Sequence, residues 1–403
     1  MLDLIIVAIA LSLGGYLAFA PRLGKSSKWK ATVTPLASIM GSGFLVCAPL
    51  LGGTVGNLAL ACIAVLLVIA YGVGAAIRFN IRHFEPIEND GHHPAQSIAF
   101  LSRIVLAGAY FISVSYYLQL LAAFVGNGLG IDSPLFAHVL CTVLLALIGG
   151  IGMWRGLAML ERLEKYAVAL NLGMIAALLC ALVYHNARLA VGGEWHLPAV
   201  ETGIDFHDLR VLLGLLIVVQ GFETSRYLGE KHSADERITT MRIAQLVSAA
   251  IYLVFVALVT VLFKDGLGAK VTDIIGLTRP VAAVLPFLIA IAAVGSQFSA
   301  AVADNEGAGG LVADISRGKI SSRAAYALIL AVTVAITWLS NVNAIIAYAS
   351  RAFALFYALQ CGVALLVAWH KPGLAARKRH LAFFAVLAVV CLVVFSLGLP
   401  AES

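Results

Sequence analysis

Long apolar stretches recur along the whole chain, and each is about as long as a lipid bilayer is thick. A helix needs roughly 20 mostly apolar residues to cross the hydrocarbon core. Windows of that length predict an all-α integral membrane protein with about 12 transmembrane helices. The segments lie near residues 3–20, 31–53, 57–78, 99–124, 135–153, 163–184, 208–228, 241–263, 281–303, 325–339, 343–369 and 381–398.

The composition agrees with this fold class. Hydrophobic residues make up 61% of the chain, charged residues 12%, and the mean hydropathy is +0.97. These values lie far from those of soluble domains, so little of the chain remains for a soluble domain. We therefore expect the lipid bilayer to be the main partner of the surface.

Lysine and arginine concentrate in every second loop. Cytoplasmic loops of membrane proteins carry an excess of these residues. The loops that are rich in lysine and arginine are therefore predicted to be cytoplasmic. An even number of helices then places both termini on the outer side of a cell (inner or plasma) membrane. The opposite loops hold only Arg188, Arg210, Lys264, Lys270 and Arg279.

The same bias accounts for the formal net charge of +6. The charge is a topology signal and gives no reason to expect nucleic acid as a partner. Zinc-finger, Walker and dinucleotide fingerprints are not found in the sequence. Nor does it offer a nucleophile, a metal cluster or a pair of acids that would suggest a membrane enzyme.

Glycine interrupts the second apolar segment at Gly41, Ser42 and Gly43, directly before Phe44. In hydrocarbon every backbone N–H and C=O needs a partner, so such a break is tolerated mainly where it lines a cavity in the protein. Unwinding would expose carbonyls on one side and helix N–H groups, which favour an anion, on the other. A close helix-packing face of small residues is the alternative interpretation.

A second break, at Gln220, Gly221, Phe222 and Glu223, lies in the seventh apolar segment. It places a carboxylate next to a glycine within a membrane helix. An ionisable group there is expensive to bury and is a functional candidate for that reason. The alternative is a structural ion pair between Glu223 and Arg226, three residues further on.

The two breaks occupy matching positions in the chain. Helices two to six span 31–184, helices seven to eleven span 208–369, and each set of five begins with a break. Because five is odd, the second set must enter from the opposite side, which predicts two repeats of inverted topology around a midplane binding site. Residues 1–30 then form an additional first helix with a basic loop, and 381–398 an additional last helix.

The residues of both breaks, followed by Glu230 and Arg237, resemble the amino acid, polyamine and organocation (APC) superfamily. The resemblance covers about 31–369 and implies a LeuT-like fold of five plus five inverted helices. The first helix, and Asp314 with Ile315 after the ninth helix, instead resemble the solute:sodium symporters.

This resemblance implies a set of substrate-binding residues. Tyr116 is a further candidate for the wall, and ordinary helix packing is the alternative for the tyrosines. The implied set is Gly41, Ser42, Gly43, Phe44, Ser113, Tyr117, Gln220, Gly221, Phe222 and Glu223.

The resemblance also implies a coupling ion, either sodium or a proton, and no other cofactor. A sodium site would take the backbone carbonyls of Ala37 and Met40 with the hydroxyls of Ser296 and Ser299. Oxygen ligands of this kind suit a hard cation. Gln297 stands where a second, adjacent hydroxyl is expected. The two serines have packing as their alternative.

Together these observations predict a secondary active transporter that is not an enzyme. It would move a small organic solute, an amino acid or a related amine or carboxylate, by ion-coupled alternating access, for example as a symporter. The alternative is a membrane-embedded solute sensor or receptor that keeps the fold without transport. The oligomeric state is left open.

Three charged or polar clusters are left outside the predicted site. Arg351 lies inside the eleventh segment, where we expect its side chain to reach the membrane surface rather than to pair with an acid or gate a vestibule. Asp304, Asn305 and Glu306 are expected at a solvated helix end. The pair His92-His93 is expected in a solvated loop rather than in a metal site.

Overall fold

The computed structural model describes residues 1–41, 43–88, 90, 93–131, 133–155, 158–229, 232–268 and 270–400, and within these ranges all regular structure is helical. The α-helices are α1 (Leu2–Phe19), α2 (Pro21–Lys25), α3 (Ser27–Gly41), α4 (Phe44–Val55), α5 (Ala59–His83), α6 (Pro94–Leu129), α7 (Pro134–Arg155), α8 (Ala158–Val191), α9 (Phe206–Gly214), α10 (Ala234–Val259), α11 (Asp273–Thr278), α12 (Leu285–Ile315), α13 (Ser322–Leu339), α14 (Val342–His370) and α15 (Arg377–Leu397). Short 3-10 helices cover Gly56–Leu58, Glu85–Ile87, Leu216–Val219, Phe222–Leu228 and Thr260–Leu262.

Each predicted apolar segment coincides with a helix or with a broken helix. Nine helical stretches in the described part of the chain are long and apolar enough to cross a membrane. One of these stretches, Ser27–His83, contains two crossings, because α3 and α4 together make one and α5 makes the next. The shorter α13 and the broken segment from α9 to Leu228 account for the remaining two. The all-α membrane fold class is confirmed.

Both predicted helix breaks are present. In the first, α3 ends at Gly41 and Gly43 precedes α4 with extended φ of 171°. In the second, α9 gives way to a 3-10 turn, Gln220 is extended, and Gly221 has φ of 116°. A left-handed φ of this kind favours glycine, because a Cβ would crowd the neighbouring backbone.

The second broken helix begins with a capping box. The Asp205 carboxylate accepts from the N–H of Asp208 at 2.8 Å, and the Asp208 carboxylate accepts from the N–H of Asp205 at 3.0 Å. These bonds satisfy N–H groups that the helix start leaves without partners. The hydrogen bond from Asp208 is also the main cause that lowers the pKa of the exposed Asp205.

The helices pack around a centre formed by α6, α12 and α14. Helix α6 packs against both α12 and α14, α12 packs against α8, and α13 packs against α7. Helix α10 lies against α3 and α5, which brings it next to the first break. At the periphery, α1 packs on α8 and α15 packs on α14. The two terminal helices therefore lie outside the ten that surround the breaks.

Candidate functional site

The two breaks touch each other at the centre of the bundle. A Cβ added to Gly43 would lie 2.7 Å from Cβ of Val218, just before the second break. A Cβ added to Gly221 would lie 2.5 Å from Oγ of Ser38 and 2.7 Å from the backbone nitrogen of Ile39, just before the first. Glycine at each break thus packs on the half-helix that leads into the other. The prediction that both breaks line one place agrees with this contact.

Glu223 lies at this junction and is 1% exposed. One oxygen of its carboxylate, Oε2, accepts from the N–H of Gly221 at 3.0 Å and from the hydroxyl of Tyr357 at 2.8 Å. The other oxygen, Oε1, is buried and has no hydrogen-bond partner among the described residues. The ring of Phe222 stacks on Tyr357 at 5.3 Å, which fixes the tyrosine over the carboxylate.

The alternative ion pair between Glu223 and Arg226 is not formed. The guanidinium of Arg226 bonds to the side-chain oxygen of Gln360 and lies 3.5 Å from Glu88. An unpaired buried acceptor costs about 1–3 kcal/mol, and more when the group is charged. Glu223 therefore keeps one carboxylate oxygen without the ion pair that Arg226 could have supplied.

Helix α6 brings Tyr117 and Ser113 next to the junction, and their role as the wall of a binding site stays a prediction. The hydroxyl of Tyr117 accepts from the amide nitrogen of Gln220 at 2.8 Å. Tyr116 and Tyr117 are both fully buried, with ring centroids 5.1 Å apart. The hydroxyl of Ser113 bonds to the carboxylate of Asp304 on α12.

The expectation of a solvated helix end at Asp304 was wrong. Helix α12 continues to Ile315, so Asp304 and Asn305 lie well inside it and are only 3% and 2% exposed. Glu306, by contrast, faces outward and is exposed, as expected. Asp304, Asn305 and Glu306 are three consecutive strongly polar residues, and they lower the hydropathy of this stretch. For that reason the apolar window ended too early.

The first break is packed against α10 and α12. Phe44 is buried, with its ring 5.4 Å from Tyr252 in an edge-on arrangement and 4.4 Å from Phe255. The carbonyl of Gly41 accepts from the amide nitrogen of Gln297 at 3.1 Å. Ser42 lies outside the described residues.

The residues of the predicted sodium site lie on both sides of the contact between α3 and α12. Ala37 and Met40 belong to the last turn of α3. Ser296 and Ser299 are buried on α12, and the hydroxyl of Ser296 donates to the carbonyl of Ala293 at 3.2 Å. The structure therefore brings the predicted residues to one helix contact, with Gln297 at its centre.

Charged side chains link the helices at the end of the bundle that carries the loops rich in lysine and arginine. This end is here named the basic end. Arg237 on α10 makes a two-pronged contact with Glu85, at 2.7 and 2.9 Å, and also donates to the carbonyl of Arg226. Arg103 on α6 lies 2.8 Å from Asp314 on α12. These contacts connect α10, the second broken helix, α6, α12 and the 85–88 segment.

At the opposite end of the bundle the helices enclose a cavity of about 410 Å³. It is lined by the ends of α6, α7 and α14 and by the segment 270–272. Its lining residue nearest to Tyr117 along α6 is Gln119, which is 4% exposed. The bundle is thus tied by ion pairs at the basic end and hollow at the other.

The remaining charged and polar candidates lie away from the junction. Arg351 is half-buried and donates to the carbonyl of Phe395 at 2.7 Å, so it joins α14 to α15. His93 is exposed at the start of α6, and His92 and Glu230 lie outside the described residues. Within the described ranges no group of three or more His, Cys, Asp or Glu side chains has a metal-binding arrangement.

Sequence reasoning missed four residues that the structure brings to the junction: Asp304, Tyr357, Tyr252 and Gln297. Tyr357 and Tyr252 share their long apolar helices with other aromatic residues, and nothing local distinguishes them from core residues. Gln297 was noted only as a missing hydroxyl. Asp304 carried the one usable signal, an acid next to an apolar segment.

Comparison with known proteins agrees with this architecture. The sequence profile of a family described as "APC superfamily transporter" matches residues 21–398. An uncharacterized protein of Aquifex aeolicus (strain VF5) is 41% identical over 389 residues, which cover 94% of this chain and 93% of the relative. The family match, over 21–398, spans both breaks and every residue assigned to the junction. The chain is a multi-pass membrane protein that belongs to the APC superfamily of transporters.

Proposed function

We propose that the protein is a secondary active transporter of a small organic solute, an amino acid or a related amine or carboxylate. The observation that carries this proposal is the buried Oε1 of Glu223, which has no partner in the described part of the chain and lies where the two broken helices meet. A protonated amine on the solute would donate to this oxygen. Hydrogen bonds to charged groups contribute about 1.5–3 kcal/mol each, so this contact would provide a large share of the affinity.

The first break supports recognition of a carboxylate on the same solute. Helix α4 begins at Phe44, directly after Gly43, and runs for 12 residues. The N–H groups of Val46 and Cys47 donate to the carbonyl of Gly43, which leaves those of Phe44 and Leu45 as the candidates for an anion. The helix dipole favours a negative charge there. The solute-binding set is thus Gly41 to Phe44 and Gln220 to Glu223, with Ser113 and Tyr117 as its wall. A zwitterion would bridge the two breaks with its two charged groups.

Asymmetry along the bundle supports alternating access. The contacts of Arg237 with Glu85 and of Arg103 with Asp314 hold the basic end together, whereas a cavity of about 410 Å³ opens at the other end. Breaking the ion pairs and closing the cavity would turn access to the junction from one side to the other. An ion gradient would drive this exchange.

Helix packing supports the inverted repeat and the LeuT-like arrangement. If residues 31–184 and 208–369 are two repeats, α6 corresponds to α12 and α8 corresponds to α14. The contact of α6 with α14 is then equivalent to that of α12 with α8, and both are extensive. The contact of α6 with α7 likewise has its counterpart in that of α12 with α13.

The loops rich in lysine and arginine support the orientation of the protein in the membrane. With the basic end in the cytoplasm, both termini lie on the outer side of the cell membrane. The cavity would then face outward, and the ion pairs would close the cytoplasmic side.

The proposal is tested with purified protein in two steps. Amino acids and amines are first screened for those that raise the melting temperature, because a ligand that binds only the folded state stabilises it. The same solutes are then assayed for uptake into proteoliposomes under an imposed ion gradient. Binding followed by uptake supports the proposal, whereas binding without uptake under any gradient would favour a sensor.

Glu223→Gln is the variant that tests the site. It keeps the size of the side chain but removes the charge, and we expect a loss of affinity for amine-bearing solutes of about 10-fold or more, from the range for charged hydrogen bonds. Glu194→Gln, at an exposed position in the loop before α9, is the matched control and should bind like the parent. Equal affinity of Glu223→Gln and the parent would remove Glu223 from the site.

A further inference from the structure

The C-terminal ends of the first halves of the broken helices present carbonyls without helix partners. The last four carbonyls of any α-helix accept no hydrogen bond from an N–H of the same helix. Here α3 ends at Gly41. In transporters with broken helices, such ends and the unwound carbonyls beside them hold a sodium ion. Whether this chain can do the same depends on what faces its carbonyls.

At the first break a side-chain amide faces the carbonyl. The amide nitrogen of Gln297 donates to the carbonyl oxygen of Gly41 at 3.1 Å, and Gln297 is 3% exposed. The contact is tight, because a Cβ on Gly41 would lie 3.4 Å from Cβ of Ala300 and 3.6 Å from the carbonyl oxygen of Ser296. The NH₂ group of the amide carries two donors and cannot ligate a cation, whereas its oxygen, Oε1, is a buried acceptor with no hydrogen-bond partner among the described residues.

Between the two breaks a phenol takes the same role. The hydroxyl of Tyr252 lies 3.1 Å from the carbonyl oxygen of Ile39, before the first break, and also contacts the carbonyl of Val218, before the second. The tyrosine is fully buried and is held by the edge-on ring of Phe44. With one proton it donates to either carbonyl, so it joins the two half-helices as a bridging cation would.

Among the described residues, the donors that face these carbonyls do not suit a sodium ion. Oxygen ligands must converge on a hard cation. Here, however, the carbonyl of Gly41 is already used by a nitrogen donor, and the carbonyls of Ile39 and Val218 share a hydroxyl donor. Ser296 directs its own hydroxyl hydrogen to Ala293 on the same helix.

We infer that Gln297 and Tyr252 are built-in replacements for the coupling sodium ion, and that the protein neither binds nor requires sodium. The binding part of this inference rests on the geometry alone. The part that concerns coupling rests on the proposed transport function.

The test uses sodium itself as the probe. Melting temperatures of the purified parent are compared in equal concentrations of sodium, potassium and choline chloride, and binding of radioactive sodium is measured on the same protein. We expect no sodium-specific shift and no saturable binding. A melting temperature that rises in sodium but not in potassium would overturn the inference.

Gln297→Ser tests the residue assignment, because it removes the donor and places a hydroxyl next to Ser296. We expect this variant to melt below the parent in potassium and to gain a sodium-specific rise. Gln119→Ser is the matched control, since the amide of Gln119 is also buried and donates to a carbonyl of another helix, that of Thr337, away from the breaks. It should gain no sodium response, and a Gln297→Ser protein without one would refute the role of Gln297.

Two further measurements keep the outcomes separate. If Gln297→Ser does not fold, Tyr252→Phe is examined in the same salts, and the sodium titration of the parent still decides the binding claim. None of these experiments uses an organic solute. A parent that binds sodium would overturn this inference and leave solute uptake untouched, whereas absence of uptake would leave the sodium result valid.

Discussion

Replacing Gly221 by alanine should destabilise the protein strongly, for two separate reasons. The residue has φ of 116°, where a side chain costs about 1–3 kcal/mol of backbone strain. The new Cβ would also lie 2.5 to 2.7 Å from atoms of Ser38 and Ile39, two of them backbone atoms that cannot turn away. Overpacking of this kind costs about 1–3 kcal/mol. Together the two effects amount to about 2–6 kcal/mol, which is comparable with the whole stability of many proteins.

The assay is thermal unfolding of the purified variants, with solute binding as a second readout. Gly108→Ala is the control, because Gly108 lies within α6 and nothing lies within 4 Å of an added Cβ. It should stabilise the helix by about 0.5–1 kcal/mol. Gly43→Ala separates the two causes, since its φ of 171° is unstrained and only the contact with Val218 remains. A Gly221→Ala protein that melts and binds like the parent would refute the close contact of the breaks.

Two further predictions concern the basic end and the start of the second broken helix. Arg237→Met should lower stability by about 3–5 kcal/mol, because it leaves the mostly buried Glu85 without its partner. Arg82→Met should cost no more than about 1 kcal/mol, since Arg82 and Asp235 are both exposed; equal melting temperatures for the two variants would contradict this ranking. Asp205→Ala should lower the melting temperature above about pH 4, which is the ordinary pKa of an aspartate. Above this pH the Asp205 carboxylate is charged in both the folded and the unfolded protein. The lowered pKa of Asp205 means that this difference should disappear as the pH falls through the folded-state value, and a difference that grew in acid would contradict it.

The fold was predictable because its main signals are local. Apolar length identifies each membrane helix, and the glycines at 41, 43 and 221 mark the breaks without any knowledge of packing. Glu223 was predictable for the same reason, since a carboxylate next to a glycine in a membrane segment is unusual on its own. The family membership predicted from these residues was confirmed.

The rest of the junction was not predictable, because it depends on contacts between distant parts of the chain. Tyr357 meets Glu223 across 134 residues, and Gln297 meets Gly41 across 256. Nothing in the local sequence tells these residues from the other aromatic or polar residues of their helices. Asp304 was misjudged because three consecutive polar residues end the apolar segment at 303, although the helix continues to Ile315. Its burial follows from packing of α12 on α6 and not from composition.

The reciprocal contact of the two breaks also has a consequence for biogenesis. Ribosomes add about 5–20 residues per second, so Val218 and Gly221 emerge on the order of ten seconds or more after Gly43. During this delay the carbonyls of Ile39 and Gly41 lack their side-chain hydrogen-bond donors, because Tyr252 and Gln297 are not yet synthesised. The first broken helix therefore enters the bilayer as an incomplete unit, and the side chains that donate to its carbonyls come only from the second half of the chain. Membrane insertion and quality control must protect the first broken helix until the second broken helix has been synthesised.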